Sequence, residues 1–290
     1  MKILDGRATA EIIKTEIADE VEKLVSSGGK RPHLAAVLVG DDGASQTYVN
    51  AKVKACEKVG FQSTLVKLSS ETTEEELLEQ VAQLNADDSL HGFIVQLPLP
   101  DHIDGQKILE AIDPNKDVDG FHPMNVGKMV LGLPCFLPAT PYGILQLLDR
   151  NDIKTSGKHC VVIGRSHIVG SPMSILLARN AEPGNCTVTL AHSRTQDLKS
   201  LTLQADIIIA AVGRSEFLTA DMVKEGTIIV DVGIHRIPDE SKKRGYRLIG
   251  DVAFDEVAEK SEAISPVPGG VGPMTIVSLL KNTLQAAKMD

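Results

Sequence analysis

The chain has 290 residues, enough for one large domain or two smaller domains that each enclose a hydrophobic core. Its 42% hydrophobic and 24% charged residues are typical of a folded globular protein, which excludes the disordered and membrane-spanning classes. The net charge of -9 argues against a nucleic-acid partner, because a phosphate backbone requires clustered Lys and Arg.

The cysteines and the N-terminal segment predict a cytoplasmic protein. Four cysteines, at positions 56, 135, 160 and 186, are scattered without a CxxC pair, which fits reduced thiols. The beginning, MKILDGRATAEIIKTEIADEV, has neither the apolar core of a signal peptide nor the Arg/Ser-rich composition of a transit peptide. We therefore expect neither a membrane nor a nucleic acid as partner.

The first half of the chain alternates helical patterns with short apolar runs. Strands separated by helices of this length indicate a mostly parallel sheet. The predicted elements are a helix over 6–26, a strand over 33–40, a helix over 45–58, a strand over 63–68, a helix over 73–87 that opens with a capping-box pattern, and a strand over 92–100.

A loop-rich passage dense in Pro, Gly, Asn and Asp follows, and the alternation then restarts after a predicted domain break near Thr140. Pro273 is suited to the first turn of a final helix. Continuous apolar runs of strand length, expected in a parallel sheet covered on both faces, occupy 159–164, 186–193, 206–213 and 227–234.

The helix over 45–58 directs a lysine toward its apolar side. At 3.6 residues per turn, Ser45, Tyr48 and Lys52 fall next to the apolar residues, and the other charged residues gather opposite. A buried lysine is a usable acid or base because desolvation disfavours the charged ammonium. The strand end at Gln96 is expected nearby, and the alternative is a lysine that extends along an apolar face to solvent.

A glycine-rich turn joins the strand over 159–164 to a predicted helix. Its spacing, through Gly164, Ser166 and Gly170, is related to the dinucleotide fingerprint but does not match it. The N–H groups at such a helix start can bind a pyrophosphate, so we predict a dinucleotide site. The alternative is an ordinary strand-to-helix turn of an α/β fold.

The cofactor predicted for this turn is NADP. The next strand is followed by Ser193 and Arg194, where a cofactor without the 2′-phosphate usually meets an acidic residue. Together with Arg165 in the turn, these residues suit a 2′-phosphate. The alternative for Arg194 is a solvated surface charge.

We expect no metal site. The DVDG segment, 117–120, lacks the further ligands and the distal Glu of a calcium loop, and the histidines show no metal-binding spacing. An Asp-Gly turn is the simpler interpretation of this segment. A functional role for a carboxylate of this segment stays open, because ligands bind in loops beside the edge of a parallel sheet.

Several long segments together resemble the bifunctional methylenetetrahydrofolate dehydrogenase/methenyltetrahydrofolate cyclohydrolase family over essentially the full chain. The segments are VGDDGASQTYVNAKVKACEKVGF, GFIVQLPLP, DVDGFHPMNVG, VVIGRSHIVGSP and SPVPGGVGPMT. The resemblance implies oxidation of 5,10-methylenetetrahydrofolate with NADP and hydrolysis of the methenyl product to 10-formyltetrahydrofolate, in one-carbon metabolism and purine biosynthesis. It also implies a homodimer formed through the dinucleotide-binding domain.

The resemblance implies a two-domain α/β fold with the site in the cleft between the domains. The folate-binding catalytic domain would comprise 1–140 plus 270–290, because the C-terminal helix returns to it, and a Rossmann-like NADP-binding domain would comprise 141–269. The implied catalytic residues are Lys52, Tyr48, which also stacks on the folate, and Gln96, which tunes the lysine. Asp119 would bind the pterin, and Gly270 and Pro273 would also contact the substrate. The implied cofactor contacts come from Gly164, Arg165, Ser166, Gly170, Ser193 and Ile234.

The chain departs from the common family pattern at three positions. Where the family often has PCTP, CHS and DVGIN, this chain has Ala139, Ala191 and His235.

Three rival functions stay open. They are a family member with one activity, an NADP-dependent dehydrogenase of another small substrate, and an NADP-binding protein without turnover.

Overall fold

The computed structural model describes residues 1–242 and 245–289, and it consists of two compact units. Unit 1 comprises Met1–Ala10 and Thr140–Thr275, and unit 2 comprises Glu11–Ala139 and Ile276–Asp290. The helices are α1 (Gly6–Ser26), α2 (Gly43–Lys58), α3 (Glu74–Ala86), α4 (Gly105–Ala111), α5 (Pro123–Val130), α6 (Ala139–Arg150), α7 (Gly170–Ala178), α8 (Leu198–Thr202), α9 (Phe254–Ala258) and α10 (Val271–Ala287), with a 3₁₀ turn at Ala220–Met222.

The strands form two parallel sheets and one antiparallel hairpin. They are β1 (Lys2–Ile3), β2 (His33–Val39), β3 (Gln62–Leu68), β4 (Gly92–Val95), β5 (His159–Ile163), β6 (Thr187–Ala191), β7 (Ile207–Ala210), β8 (Thr227–Asp231), β9 (His235–Pro238), β10 (Tyr246–Ile249) and β11 (Ser261–Ile264). The hairpin pairs β9 with β10.

Unit 1 is built on a parallel sheet with the strand order β1-β11-β8-β7-β5-β6. From β5 the chain goes first to β6 on one side and then to β7 on the other, so the direction of winding reverses at β5. In open α/β sheets, ligands bind beyond the carboxyl ends of the strands at such a reversal. The isoleucines of β7 and β8 are almost completely buried, as the apolar runs predicted.

The prediction that all four apolar runs are covered on both faces is wrong for β6. Thr187 is exposed and Leu190 is 37% exposed, whereas β7 and β8 are buried along their whole length. β6 is more exposed because it ends the sheet, where β5 is its one partner strand among the described residues. An edge strand has fewer side chains packed over it than a central strand.

Unit 2 contains a parallel sheet with the order β3-β2-β4. Every residue of β2 is buried, and Phe93 of β4 is completely inaccessible. The predicted capping box at the start of α3 is confirmed, because Thr73 Oγ1 accepts from Glu76 N and Thr73 N donates to Glu76 Oε2. These reciprocal bonds satisfy N–H groups that the helix cannot pair internally.

The predicted fold class, a two-domain α/β protein whose C-terminal helix returns to the first domain, is confirmed. From Ile276 onward α10 belongs to unit 2, where Asn282 Nδ2 donates to Val118 O and Leu137 O. The limits of the compact units fall within α1, at the first residue of α6 and within α10, and β1 lies in unit 1 because it pairs with β11. The domain limits given by the sequence stay a prediction.

No helix within residues 1–242 and 245–289 has both the length and the apolar character needed to cross a membrane.

Candidate active site

Helix α2 buries the lysine that the sequence directed inward. The helix is capped by Asp42, whose side chain accepts from Ser45 N at 2.7 Å. Lys52 is 6% exposed, Tyr48 is half-buried, and Lys54 on the other side of the helix is exposed. The predicted inward orientation of Lys52 is therefore confirmed, and the alternative of a lysine that extends to solvent is not what the structure has.

Lys52 contacts Gln96, which follows the last residue of β4. Lys52 Nζ donates to Gln96 Oε1 at 3.2 Å. Gln96 Nε2 donates to Leu97 O at 2.6 Å, and Gln96 N donates to Val37 O at 2.9 Å. These bonds fix the amide so that its carbonyl oxygen faces the lysine. Among the described residues, no carboxylate forms an ion pair with Lys52.

Tyr48 lies one helical turn before Lys52, on the same side of α2. Burial raises the pKa of its phenol, which keeps the hydroxyl neutral. Within the described part of the chain this hydroxyl has no hydrogen-bond partner. Tyr48 therefore offers an aromatic face with a neutral polar tip beside the lysine.

Asp119 lies at the same edge of the unit 2 sheet as Gln96. Asp117 forms a parallel bridge with Phe93, so the segment that reaches Asp119 runs beside β4, which ends just before Gln96. Asp119 O accepts from Ala139 N at 3.1 Å. The carboxylate of Asp119 is half-buried and has no hydrogen-bond partner among residues 1–242 and 245–289. It is free to bind a ligand.

Sequence reasoning missed Asp117, which holds the loop that carries Asp119. Asp117 is 2% exposed, and its carboxylate accepts from Phe121 N, His122 N and Asn125 Nδ2 at 3.2, 2.8 and 2.9 Å. Burial raises its pKa to about 6, while these three bonds act in the opposite direction. Its place in a polar loop gave no sign of burial.

Asn282 is a second residue that the sequence analysis missed. It is 1% exposed on α10, and its amide donates to Val118 O at 2.8 Å and Leu137 O at 2.9 Å. Val118 immediately precedes Asp119, so this amide fixes the backbone next to it. An asparagine three residues after Leu279 in the apolar stripe of α10 was the available signal.

In unit 1, Gly164 begins the turn between β5 and α7 at the point where the winding of the sheet reverses. Its φ of +117° is a conformation that other residues rarely adopt, and a Cβ here would lie 2.1 Å from Ala211 O. A Cβ on Gly170 would lie 1.9 Å from Gly164 O. Both predicted glycines are therefore required by close backbone approach.

The turn leaves several backbone N–H groups available. The hydroxyl of Ser166 accepts from Val169 N and Gly170 N at 3.2 and 3.4 Å. The N–H groups of residues 165–168 donate to no acceptor within the described part of the chain. Consecutive unpaired N–H groups before a helix start form a concave site for an anion. The turn therefore fits the pyrophosphate of a dinucleotide.

The basic residues predicted to bind a 2′-phosphate follow neighbouring strands. Ile163 of β5 pairs with Ala191 of β6, and Arg165 follows the first strand as Ser193 and Arg194 follow the second. All three are exposed, and neither guanidinium forms an ion pair with a described residue. Unpaired guanidinium groups are suited to a phosphate.

Ile234 follows β8 at the same sheet edge and is 46% exposed. The next residue, His235, donates from Nε2 to Asp251 Oδ1 at 2.7 Å. His235 is one of the three departures from the common family pattern, and nothing in the sequence pointed to Asp251 as its partner.

Gly270 immediately precedes α10 and Pro273 lies in its first turn, and both belong to unit 1. Gly270 N donates to Pro266 O at 2.8 Å, and Gly269 O accepts from Arg7 N at 2.9 Å. The loop is thereby tied to the start of α1. Pro273 occupies the first turn of α10, as the sequence predicted.

Among the described residues, no group of three or more His, Cys, Asp or Glu side chains is arranged to hold a metal ion. None of the four cysteines forms a disulfide within the described residues, and burial raises the pKa of Cys56 to about 12.

The sheet of unit 1, its glycine turn and the unpaired arginines define a dinucleotide-binding α/β enzyme whose second unit carries a buried lysine. The tetrahydrofolate dehydrogenase/cyclohydrolase family matches the chain twice, its catalytic domain over residues 4–119 and its NAD(P)-binding domain over residues 138–290. The chain therefore belongs to the tetrahydrofolate dehydrogenase/cyclohydrolase family.

Individual proteins agree with this assignment. The bifunctional protein FolD of Cytophaga hutchinsonii is 69% identical over 289 residues, which cover 100% of both chains. The crystal structure of the FolD enzyme of Campylobacter jejuni, a methylenetetrahydrofolate dehydrogenase/cyclohydrolase, is 50% identical with a TM-score of 0.93, covering 100% of this chain and 99% of that one. The Trypanosoma brucei enzyme, complexed with NADP and an inhibitor, is 39% identical with a TM-score of 0.93, covering 99% and 97%.

The predicted enzyme class is confirmed. The chain is a bifunctional, NADP-dependent methylenetetrahydrofolate dehydrogenase and methenyltetrahydrofolate cyclohydrolase of one-carbon metabolism. A tetrahydrofolate is its substrate class.

Proposed function

We propose that Lys52 carries the proton transfers of the cyclohydrolase reaction. Water attacks the methenyl carbon, and the neutral amine of Lys52 takes a proton from that water. The ammonium then returns the proton to the departing nitrogen as the bond between this nitrogen and the carbon breaks, and the remaining hydroxyl proton is lost to solvent as the formyl C=O forms. The observation that carries this proposal is the contact of the buried Lys52 Nζ with Gln96 Oε1.

The chemistry of Gln96 supports the same role. An amide oxygen accepts a hydrogen bond from a neutral amine as well as from an ammonium, so it positions Lys52 without fixing its charge. A carboxylate in the same place would stabilise the ammonium and oppose its use as a base. Because Gln96 Nε2 is bonded to Leu97 O, its carbonyl stays directed at the lysine.

Tyr48 and Asp119 would hold the folate. The aromatic face of Tyr48 is suited to stacking on the aminobenzoyl ring, and its neutral hydroxyl adds no charge beside the methenyl cation. A carboxylate such as that of Asp119 can accept two hydrogen bonds from the 2-amino-pyrimidinone edge of the pterin. Its lack of a partner among the described residues supports this role.

The cofactor contacts would come from unit 1. Gly164, Ser166 and Gly170 would form the pyrophosphate turn, and Arg165 and Ser193 would bind the 2′-phosphate. The chemistry that bound NADP⁺ supplies is acceptance of a hydride from the folate methylene carbon. Ile234 would contact the cofactor, and the loop with Gly270 and Pro273 would let backbone approach the reactants.

The role of Lys52 is tested by replacing it with an apolar side chain of similar length. Lys52→Met should lower the rate of methenyltetrahydrofolate hydrolysis by roughly 10²- to 10⁴-fold, the usual contribution of a general acid–base group. NADPH formation should fall much less, because hydride transfer needs no proton carrier. Lys54→Met is the matched control, since Lys54 is exposed on the same helix.

Two results would contradict the proposal. The first is a hydrolysis rate in Lys52→Met equal to that of Lys54→Met. The second comes from Gln96→Glu, which keeps the acceptor but adds a negative charge. We expect it to slow hydrolysis by stabilising the ammonium, and an unchanged rate would leave the tuning role of Gln96 without support.

We further propose a cytoplasmic homodimer, assembled through the NADP-binding domain, that supplies purine biosynthesis. The four cysteines, scattered without a CxxC pair, support a reducing compartment. The net charge of -9 supports the prediction of no nucleic-acid partner. Analytical ultracentrifugation of the purified chain tests the assembly, and a monomer at micromolar concentration would overturn it.

A further inference from the structure

The buried carboxylate of Asp251 holds the loop that follows β7. Its Oδ2 accepts from Val212 N at 2.5 Å and from Gly213 N at 2.9 Å, and its Oδ1 accepts from Arg214 N at 3.1 Å. Asp251 is 0% exposed, and the side chain that donates to it is His235, through Nε2 at 2.7 Å. Three consecutive N–H groups and one imidazole therefore converge on a single carboxylate.

This loop borders the cofactor turn of unit 1, and His235 follows β8, the strand next to β7. The loop, 211–214, begins with Ala211, whose carbonyl oxygen lies 2.1 Å from where a Cβ on Gly164 would stand. His235 follows Ile234, the residue assigned to cofactor contact after β8. Because β7 and β8 are parallel neighbours, both loops lie at the carboxyl edge of the sheet. The carboxylate of Asp251 thus fixes both the loop 211–214 and His235.

A second buried carboxyl group, that of Asp231, lies beside Asp251 and increases the need for the hydrogen bond from His235. Asp231 is 2% exposed, and it accepts from Gly233 N, Asp251 N and Val252 N. Burial, with a smaller contribution from nearby Asp251, raises its pKa to about 7, while the three backbone N–H groups act in the opposite direction. A buried carboxylate needs hydrogen-bond donors to offset the loss of water, and His235 supplies one for Asp251.

We propose that His235 is a positioning residue for NADP: acting through Asp251, it holds the loop 211–214 and Ile234 in the conformation that receives the nicotinamide half. The order of the strands assigns the nicotinamide half to this place. The residues suited to the 2′-phosphate follow β5 and β6, whereas the loop 211–214 follows β7 and Ile234 follows β8, on the other side of β5. This inference rests on the cofactor contacts proposed for unit 1.

The test compares two substitutions of His235 with a control histidine. His235→Ala removes the donor, and His235→Gln keeps an N–H donor at similar reach. The control is His159→Ala in the same unit, because His159 starts β5 at the opposite edge of the sheet and contacts Thr189 Oγ1. Each protein is assayed for the KM of NADP⁺ and for kcat with 5,10-methylenetetrahydrofolate, and for hydrolysis of methenyltetrahydrofolate without cofactor.

We expect His235→Ala to raise the KM for NADP⁺ about tenfold, the effect of one hydrogen bond to a charged group. His235→Gln should recover most of that loss, and His159→Ala should match wild type. Hydrolysis should be unchanged in all three. Hydrogen exchange should be faster in the peptide containing 211–214 in His235→Ala alone.

Three results would overturn the inference. They are an unchanged KM in His235→Ala, an equal increase in His159→Ala, and a His235→Gln variant as impaired as His235→Ala. Absence of NADPH formation by wild type would instead overturn the cofactor contacts themselves, and it is seen before any variant is compared.

Discussion

Replacing Asn282 by alanine should destabilise the chain by about 2 kcal/mol. The substitution removes two donors and leaves the buried carbonyl groups of Val118 and Leu137 without them. Each lost bond costs about 1 to 1.5 kcal/mol, and the better helix propensity of alanine returns about 0.6 kcal/mol. This loss is large relative to the free energy of unfolding of a typical folded protein, which is about 5 to 15 kcal/mol.

Equilibrium urea denaturation followed by circular dichroism measures this loss. Gln285→Ala is the matched control, because it also replaces an amide by alanine in α10, at an exposed position where about 0.5 kcal/mol or less is expected. Because the amide of Asn282 fixes the backbone beside Asp119, we also expect a higher KM for folate. Equal unfolding free energies for the two variants would show that the two hydrogen bonds of Asn282 do not stabilise the fold.

Three further substitutions test separate parts of the structure. Gly164→Ala should abolish NADP binding, because its Cβ would lie 2.1 Å from Ala211 O, and it should leave hydrolysis of methenyltetrahydrofolate unchanged. Calorimetry measures the binding, and an unchanged affinity for NADP would contradict the assigned turn. Thr73→Ala breaks the capping box with Glu76 and should lower the unfolding free energy by about 1 kcal/mol in urea, whereas no loss would deny the cap any role. Burial raises the pKa of Asp117 to about 6. In the unfolded chain the same carboxyl group loses its proton near pH ~4, so between these two pH values the folded chain binds a proton that the unfolded chain has released. The free energy of unfolding therefore falls as the pH rises from ~4 to about 6. Asp117→Asn should remove up to about 3 kcal/mol of this decline, and an identical pH dependence in both proteins would show that Asp117 does not cause it.

The parts of the fold set by local patterns were predictable from the sequence. Continuous apolar runs located the central strands β7 and β8, and the period of the helix containing Tyr48 and Lys52 gave its buried face. The capping box at Thr73 marked the start of α3. In each case the signal lies within one element, so no knowledge of distant contacts was needed.

The parts set by contacts between distant residues were not predictable. β1 has two residues, too few for any period, and it exists because it pairs with β11 at the other end of unit 1. Asn282 and Val118 are 164 positions apart, so their hydrogen bond left no local trace. The edge position of β6, and hence its exposure, depends on the strand order of the whole sheet.

The candidate site divides in the same way. The helical pattern alone directed Lys52 inward, but its contact with Gln96 depends on how β4 lies beside β2 and α2. The two aspartates of DVDG look alike in the sequence, yet Asp117 is buried and Asp119 is half-buried. Asp251 lies 16 positions from His235, in a pairing created by the β9–β10 hairpin.

The most direct test of the account is the fate of 5,10-methylenetetrahydrofolate when the purified chain is supplied with NADP⁺. We predict NADPH and 10-formyltetrahydrofolate in equal amounts, with no accumulation of the methenyl compound. NADPH accompanied by an equal amount of methenyltetrahydrofolate would contradict the cyclohydrolase activity and the role of Lys52. No NADPH at all would contradict the dehydrogenase.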